Sequence, residues 1–278
     1  MLESDGLGCY QPRYAAYRLR GLWFVTDVPH RLKRDSVFPL YPESRFLANR
    51  MDVLAGCSAL DVCTGCGLYA AVAATAASRV TAVDINPRAL SFAAHNLLLN
   101  GMRDRVDLVQ GDLTEPVRGQ RFDYISANPP FEPTPPGAFN YLHSDGGQDG
   151  LTVVRRLLEA LPAALADNGV FEMVSFSIGN SQKWLLTEEC PPPNGCYGKA
   201  ITVFPPLPLA EFVRRFDSPS RAAWLNAWNT QGYERLYCLH TRVERDYNNA
   251  GLPHWLTDDI LASPAGGLDW TLPDNDAP

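Results

Sequence analysis

The chain has 278 residues, 46% hydrophobic and 20% charged, and Lys+Arg 24 against Asp+Glu 31 leaves a net charge of −7. This composition excludes a disordered or fibrous chain. It describes a globular one able to bury roughly three-quarters of its unfolded surface without disulfides or a structural metal. The acidic balance argues against finding nucleic acid through a broad positive field, while leaving room for a local basic groove.

The first twenty residues have an acidic start and no apolar core, so they are not expected to be a secretory signal. Residues 1–50 are expected to form a short cap. The middle of the chain then alternates short apolar runs with helical patterns, the mark of a parallel α/β sheet. Ser58–Val62 predicts a first strand, and residues 68–77 a small-residue helix too short to span a bilayer. Arg79–Asp84 predicts a second strand. Pro87 opens a helix in which Ala89, Leu90, Ala93 and Leu97 recur at helical spacing until Asn100-Gly101. Val106–Gln110 and Phe122–Ala127 predict the third and fourth strands. A helix follows over 151–165, closed by Asp167-Asn168-Gly169, and a fifth strand over 170–176. Residues 200–204 and 235–241 predict two more strands around a helix with Ser218 as N-cap and Pro219 in its first turn. The sheet domain is expected over 51–262, with a Pro/Gly/Asp-rich tail over 263–278. Seven scattered cysteines are expected to be reduced in the cytoplasm. The only close pair, Cys63-x-x-Cys66, lies inside a glycine loop, so no metal site is expected.

That loop, Asp61-Val62-Cys63-Thr64-Gly65-Cys66-Gly67, follows the first strand. Gly65 and Gly67 permit a tight turn and a close approach of backbone to a ligand at a helix N-terminus. The pattern fits a dinucleotide fingerprint, with Asp84 at the ribose position, and a nicotinamide dehydrogenase is one reading. Asp61 favours another. A carboxylate at the strand end suits a cationic group better than a pyrophosphate, and S-adenosylmethionine carries an ammonium and a sulfonium. Asp84 is then expected to hold the ribose hydroxyls and Asp112 the adenine amine, with Cys63, Thr64, Ile85 and Leu113 beside them. Asn128-Pro129-Pro130-Phe131 ends the fourth strand. The Asn128 carbonyl and a Pro129-Pro130 backbone carbonyl can accept both N–H bonds of an amide or aromatic amine. That frees the nitrogen lone pair for in-line attack on the sulfonium methyl. Prolines donate no N–H, so the stretch presents acceptors only, and Phe131 supplies a face for a planar group. His143 and Tyr141 lie just beyond, where an exposed loop is expected over the alternative that they line the acceptor pocket.

These motifs, DVCTGCG, AVDINPRAL, QGDL and NPPF in that order, resemble the class I methyltransferases of the Asn-Pro-Pro-aromatic type. Gly146-Gly147-Gln148-Asp149-Gly150-Leu151 and the Pro42-Glu43-Ser44 segment are most similar to the bacterial release-factor glutamine N-methyltransferase family. The resemblance implies a Rossmann-like, seven-stranded, mostly parallel sheet. It also implies S-adenosylmethionine held by Asp61, Gly65, Gly67, Asp84 and Asp112, with Asn128 through Phe131 at the acceptor nitrogen and Asn128 beside the cofactor as well. Family members that methylate release factors carry a helical recognition domain before the cofactor loop, where this chain has about fifty residues. Trp224, Trp228, Trp255 and Trp270 match no pattern of that family. The acidic charge and the missing domain lead us to expect a small-molecule acceptor, with a protein glutamine next and a nucleobase third. No membrane partner is expected.

Overall fold

The computed structural model describes residues 2–4, 10–245 and 255–258; the predicted tail at 263–278 and Trp270 lie outside the described residues. Strands β1 (Leu2–Ser4) and β2 (Tyr10–Pro12) pair with each other. A hairpin follows, β3 (Tyr14–Leu19) and β4 (Leu22–Asp27), turning on Arg20 and Gly21, which both adopt positive φ. Such turns match the natural twist of paired strands. Helix α1 (Pro42–Arg50) then leads into the sheet.

Alternating units build the sheet: β5 (Ser58–Val62), α2 (Leu68–Ala73), β6 (Arg79–Asp84), α3 (Pro87–Leu99), β7 (Val106–Gln110) and β8 (Phe122–Ala127). They continue through α4 (Thr152–Ala164), β9 (Leu165–Gly179), α5 (Leu185–Glu189), β10 (Cys196–Thr202) and β11 (Leu207–Pro208). The last elements are α6 (Leu209–Phe212), α7 (Arg221–Thr230), β12 (Arg235–Arg245) and β13 (Trp255–Asp258). The spatial order is β13-β10-β12-β9-β8-β5-β6-β7, with β11 paired to β12. Strands β7 through β9 run parallel, and β12 is antiparallel to both of its long neighbours. All seven predicted strands are present, and β11 and β13 are additions at the β10–β12 side.

Order reverses between β5 and β8. Chain leaving β5 crosses to β6 on one side, whereas β8 returns on the other, which opens a crevice at the strands' carboxyl ends. The central strands carry mostly apolar side chains, as expected where a parallel sheet is buried on both faces; Leu60, Val62, Ile125 and Ala127 are at most 1% exposed. Every residue of α2 is buried, and its alanines let it lie close to the strands. Val154, Leu157, Leu158 and Leu161 form the buried stripe of α4.

Several boundaries differ from the sequence expectation: β9 and β10 start earlier, at Leu165 and Cys196, and β12 runs on to Arg245. The small-residue helix ends at Ala73, giving way to turns at 74–76. Asp167-Asn168-Gly169 does not stop α4, which ends at Ala164. These residues form an irregularity inside β9, where Asn168 takes a left-handed φ of 60° as the pairing with β8 shifts register. Helix α7 begins at Arg221 rather than Pro219 because the Ser218 hydroxyl makes a turn before it, accepting from Ser220 N and donating to the Pro136 carbonyl.

The hairpin is fastened to α3 by two asparagines one turn apart. Asn96 and Asn100 each exchange a pair of hydrogen bonds with the β4 backbone, at Val25 and Trp23, all between 2.7 and 3.0 Å. Asn96 Nδ2 also donates to the Cys66 carbonyl of the glycine loop at 2.8 Å. Removing a buried, multiply bonded amide orphans its partners. Asn96→Ala is therefore expected to lower the unfolding free energy by about 2–4 kcal/mol in urea titration; a loss within the error of the titration would show that the hairpin is not held this way.

Candidate active site

The loop after β5 folds because three of its residues take positive φ: Cys63 (58°), Gly65 (54°) and Gly67 (81°). A Cβ on Gly67 would lie 3.1 Å from the Ala93 backbone of α3, so strain and space both require glycine there. Asp61 lies beneath this turn, 1% exposed. One oxygen accepts from Thr64 Oγ1 (2.6 Å) and Ala70 N (3.0 Å), and the other from Ser126 Oγ (3.0 Å). Asp61, expected to face a ligand cation, is placed beneath the loop rather than in the crevice. Its oxygens are taken up inside the protein and it lines neither cavity described below. Burial pushes its carboxyl up to about 7, against the pull of those three hydrogen bonds.

Asp84 and Asp112 end neighbouring strands and do face the crevice. Asp84 accepts from Gly65 N at 2.8 Å and Asn86 N at 2.9 Å, and burial raises its carboxyl above the usual range. Asp112 pairs with Arg156 of α4 at 2.7 Å. Two adjoining cavities meet here. Thr64 and Gly65 line the first, and Leu113 and Asp112 the second; Cys63, Asp84, Ile85 and Pro130 border both. The first encloses about 870 Å³ counted with its mouth, and no Lys or Arg lines it.

Asn128, Phe131 and Glu132 form the far wall of that first cavity. Asn128 Nδ2 donates to Ser44 Oγ at 3.0 Å, which turns the amide so that its carbonyl is left for other partners. Phe131 is buried and packs on Phe176, ring centres 4.7 Å apart, and Pro129 is buried beneath it. Glycines 146 and 150 press on this tetrapeptide from behind. A Cβ on either would come within 2.8 Å of the Phe131 backbone, which explains two of the three glycines of the Gly146–Leu151 motif. Glu132 N donates to the Ser144 carbonyl and Gly146 N to the Glu132 carbonyl, making a short ladder between the two segments.

The cap supplies the opposite wall through Ser36, Val37, Phe38, Leu40 and Ser44. It is held down by Asp27, which pairs bidentately with Arg88 and accepts from Val37 N at 2.6 Å. Asn86 Nδ2 adds a bond to the Asp35 carbonyl at 2.9 Å. His143 is not in an exposed loop: its ring lines the cavity, stacked on Tyr141 and packed against Phe38. Sequence reasoning also missed Glu132 and the C-terminal residues that brace it. Arg215 pairs with Glu132 at 3.2 Å, and Trp224 Nε1 donates to the Gln148 carbonyl at 2.9 Å. Among the described residues no helix is long and apolar enough to cross a membrane.

The strand order, with a glycine loop and carboxylates ringing a crevice at its switch point, defines the class I methyltransferase fold. Residues 40–188, just over half the chain, match the methyltransferase small domain family, and the chain belongs to that family. It is 31% identical over 193 residues to the ribosomal protein uL3 glutamine methyltransferase of Francisella tularensis, a match covering 63% of this chain and 59% of the relative. The release factor glutamine methyltransferase of Moorella thermoacetica is 39% identical over 113 residues, covering 38% of this chain and 39% of that one. The chain thus spans well under two-thirds of the length of these curated relatives. Among solved structures, the tRNA m1G37 methyltransferase of M. jannaschii superposes with a TM-score of 0.52 over 86% of this chain and 57% of its own. At 13% identity that likeness is one of fold alone.

Asp61 makes stability depend on pH in a definite direction. Its carboxyl titrates at about 7 when folded and near ~4 when unfolded. The folded chain therefore keeps a proton that the unfolded chain has lost, and this contribution declines as pH rises from the lower value to the higher. Asp61→Asn keeps the shape and removes the titration. The unfolding free energy of the variant minus that of the wild type is expected to grow by about 1 kcal/mol per pH unit between roughly pH 5 and 7. A difference that stays flat over this interval would mean that Asp61 is ionised throughout.

Proposed function

We propose that this chain transfers a methyl group from S-adenosylmethionine to the side-chain amide nitrogen of a protein glutamine. The observation carrying the reading is the hydrogen bond from Asn128 Nδ2 to Ser44, which presents the Asn128 carbonyl at the wall of a cavity free of basic side chains. A pyrophosphate calls for cationic or N–H-rich surroundings. Asp84 and Glu132 line this first cavity and no Lys or Arg does, which suits a sulfonium there, while Arg34 and Arg156 border the adjoining cavity beside Asp112.

The glycine loop from Cys63 to Gly67 forms the cofactor cradle, Asp84 with Ile85 takes the ribose, and Asp112 with Leu113 takes the adenine. When bound, the cofactor supplies an electrophilic methyl on a positively charged sulfur. Asn128 Oδ1 and the Pro129 carbonyl accept the two N–H bonds of the acceptor amide. Those bonds pull the nitrogen out of conjugation with its carbonyl and aim its lone pair. Pro129 and Pro130 add no competing backbone donor, and Phe131, fixed by Phe176, flanks the amide plane. Asp61 acts beneath the cradle by fixing loop geometry.

The acidic composition led to the expectation of a small-molecule acceptor. The curated relatives, which act on ribosomal protein uL3 and on release factors, support a protein amide instead. The test is incubation with radiolabelled S-adenosylmethionine and purified uL3 or release factor from the same source, followed by mass spectrometry. One added methyl on a glutamine side chain of either protein supports the reading. Label that enters neither protein, but does enter a metabolite or RNA pool, overturns it. Asn128→Ala is expected to cut kcat/KM by about 100-fold or more while S-adenosylhomocysteine affinity, measured by calorimetry, stays within about threefold.

A further inference from the structure

We propose that His143 is a further catalytic residue of this site, its Nε2 accepting the proton that the acceptor nitrogen loses on methylation. This rests on the amide-methylation reading above and adds a residue to it. His143 lines the same cavity as Asn128, Phe131 and Glu132. Its Nε2 is buried without a hydrogen-bond partner, and so is the hydroxyl of Tyr69, another residue of the cavity's lining. Buried polar atoms are seldom left unpaired, and two around one cavity point to a ligand that completes them.

The other ring nitrogen is committed. His143 Nδ1 lies 2.8 Å from Ser144 Oγ, a contact in which either group can donate. Proton transfer to Nε2 requires the tautomer with Nδ1–H donating, which leaves the lone pair on Nε2. Ser144 fixes the ring to the catalytic wall, because its carbonyl accepts from Glu132 N, the residue directly after Phe131, at 2.7 Å. Tyr141 stacks on the imidazole at 5.2 Å with an interplanar angle of 9°, and Phe38 packs at 4.8 Å. Burial, helped by the positive charge of Arg215 and opposed by Asp27, pushes the imidazole down to about 4, so the ring is neutral near pH 7. The other acids of the cavity are engaged. Glu132 is held by Arg215 at 3.2 Å and Asn140 at 3.3 Å, and the Asp84 oxygens accept from Gly65 N and Asn86 N.

The step balances as follows. The nitrogen lone pair forms the N–C bond while the C–S bond breaks, its electron pair passing to sulfur. The positive charge moves to nitrogen, whose bond to the carbonyl carbon becomes single, so the nitrogen turns and one N–H leaves its carbonyl acceptor for Nε2. That N–H bond breaks with its pair kept by nitrogen, and the proton passes to Nε2. The imidazolium, disfavoured by burial and Arg215, then releases the proton to water.

The test uses the full chain with His143→Phe, which keeps an aromatic ring for Tyr141 and Phe38, and His143→Ala. With the protein acceptor found by the labelling experiment, His143→Phe is expected to lower kcat about tenfold or more. The acceptor KM, the S-adenosylhomocysteine affinity and the melting temperature should stay near wild type. Added imidazole is expected to restore part of the turnover of His143→Ala and none of that of His143→Phe. Nitrogen-15 spectra of the histidine side chains at neutral pH should show His143 with its proton on Nδ1. Turnover of His143→Phe within twofold of wild type, or a proton on Nε2, would overturn the proposal. The tautomer needs no acceptor, so failure of the protein-glutamine reading and failure of this one are read separately.

Discussion

One buried carboxylate organises the cofactor side of this molecule. Asp61 reaches the loop through Thr64, the start of α2 through Ala70 and the neighbouring strand through Ser126. A charged or half-charged group so far from water is costly unless its acceptor sites are filled. The three donors that fill them belong to three different elements, so the carboxylate is satisfied only when those elements are in place together. The left-handed turns at Cys63, Gly65 and Gly67 are strained or entropically costly when considered singly. They persist because the bonds to Asp61, the Asp84 bond to Gly65 N and the Thr64 N bond to Val83 over-determine the loop.

The acceptor side is built differently. Its wall is one tetrapeptide, backed by two glycines that admit no side chain and flanked by segments from both ends of the described chain. Ser44 from the cap orients Asn128, while Arg215 and Trp224, from the C-terminal part, hold Glu132 and the Gln148 turn. Ahead of the cofactor loop the described residues form two strand pairs and α1, and the elements after β9 brace the site from the other direction. A relative with the same glycine loop and different flanking segments would present the same tetrapeptide wall in a differently shaped opening.

Much of the fold is legible in the sequence because its units are local. Each strand–loop–helix repeat carries its own apolar run, turn residues and helix start, and Pro87 and the glycines of the first loop mark their elements plainly. Asp84, Asp112 and Asn128 are legible for the same reason: each stands at the end of a strand, and parallel strands bring their carboxyl ends together. Asp61 shows the limit of that rule. A strand-end carboxylate can serve a ligand or its own loop, and the hydroxyls of Thr64 and Ser126 decide the matter; the second belongs to a neighbouring strand. His143 sits in a stretch rich in proline and glycine that has the composition of a surface loop, and only the arrival of Phe38 encloses it. The Glu132–Arg215 pair joins residues 83 apart in sequence, with no periodicity to announce it.

The asparagines of α3 have a consequence for how the molecule behaves in company. A two-stranded hairpin ordinarily presents a bare row of amides and carbonyls, an invitation for another copy to add a strand. Here Asn96 and Asn100 mimic that missing strand with their side-chain amides, saturating the β4 backbone at Trp23 and Val25. The helix thereby serves as a built-in edge guard, and the cap can border an open crevice without offering that side as a seed for sheet extension between molecules.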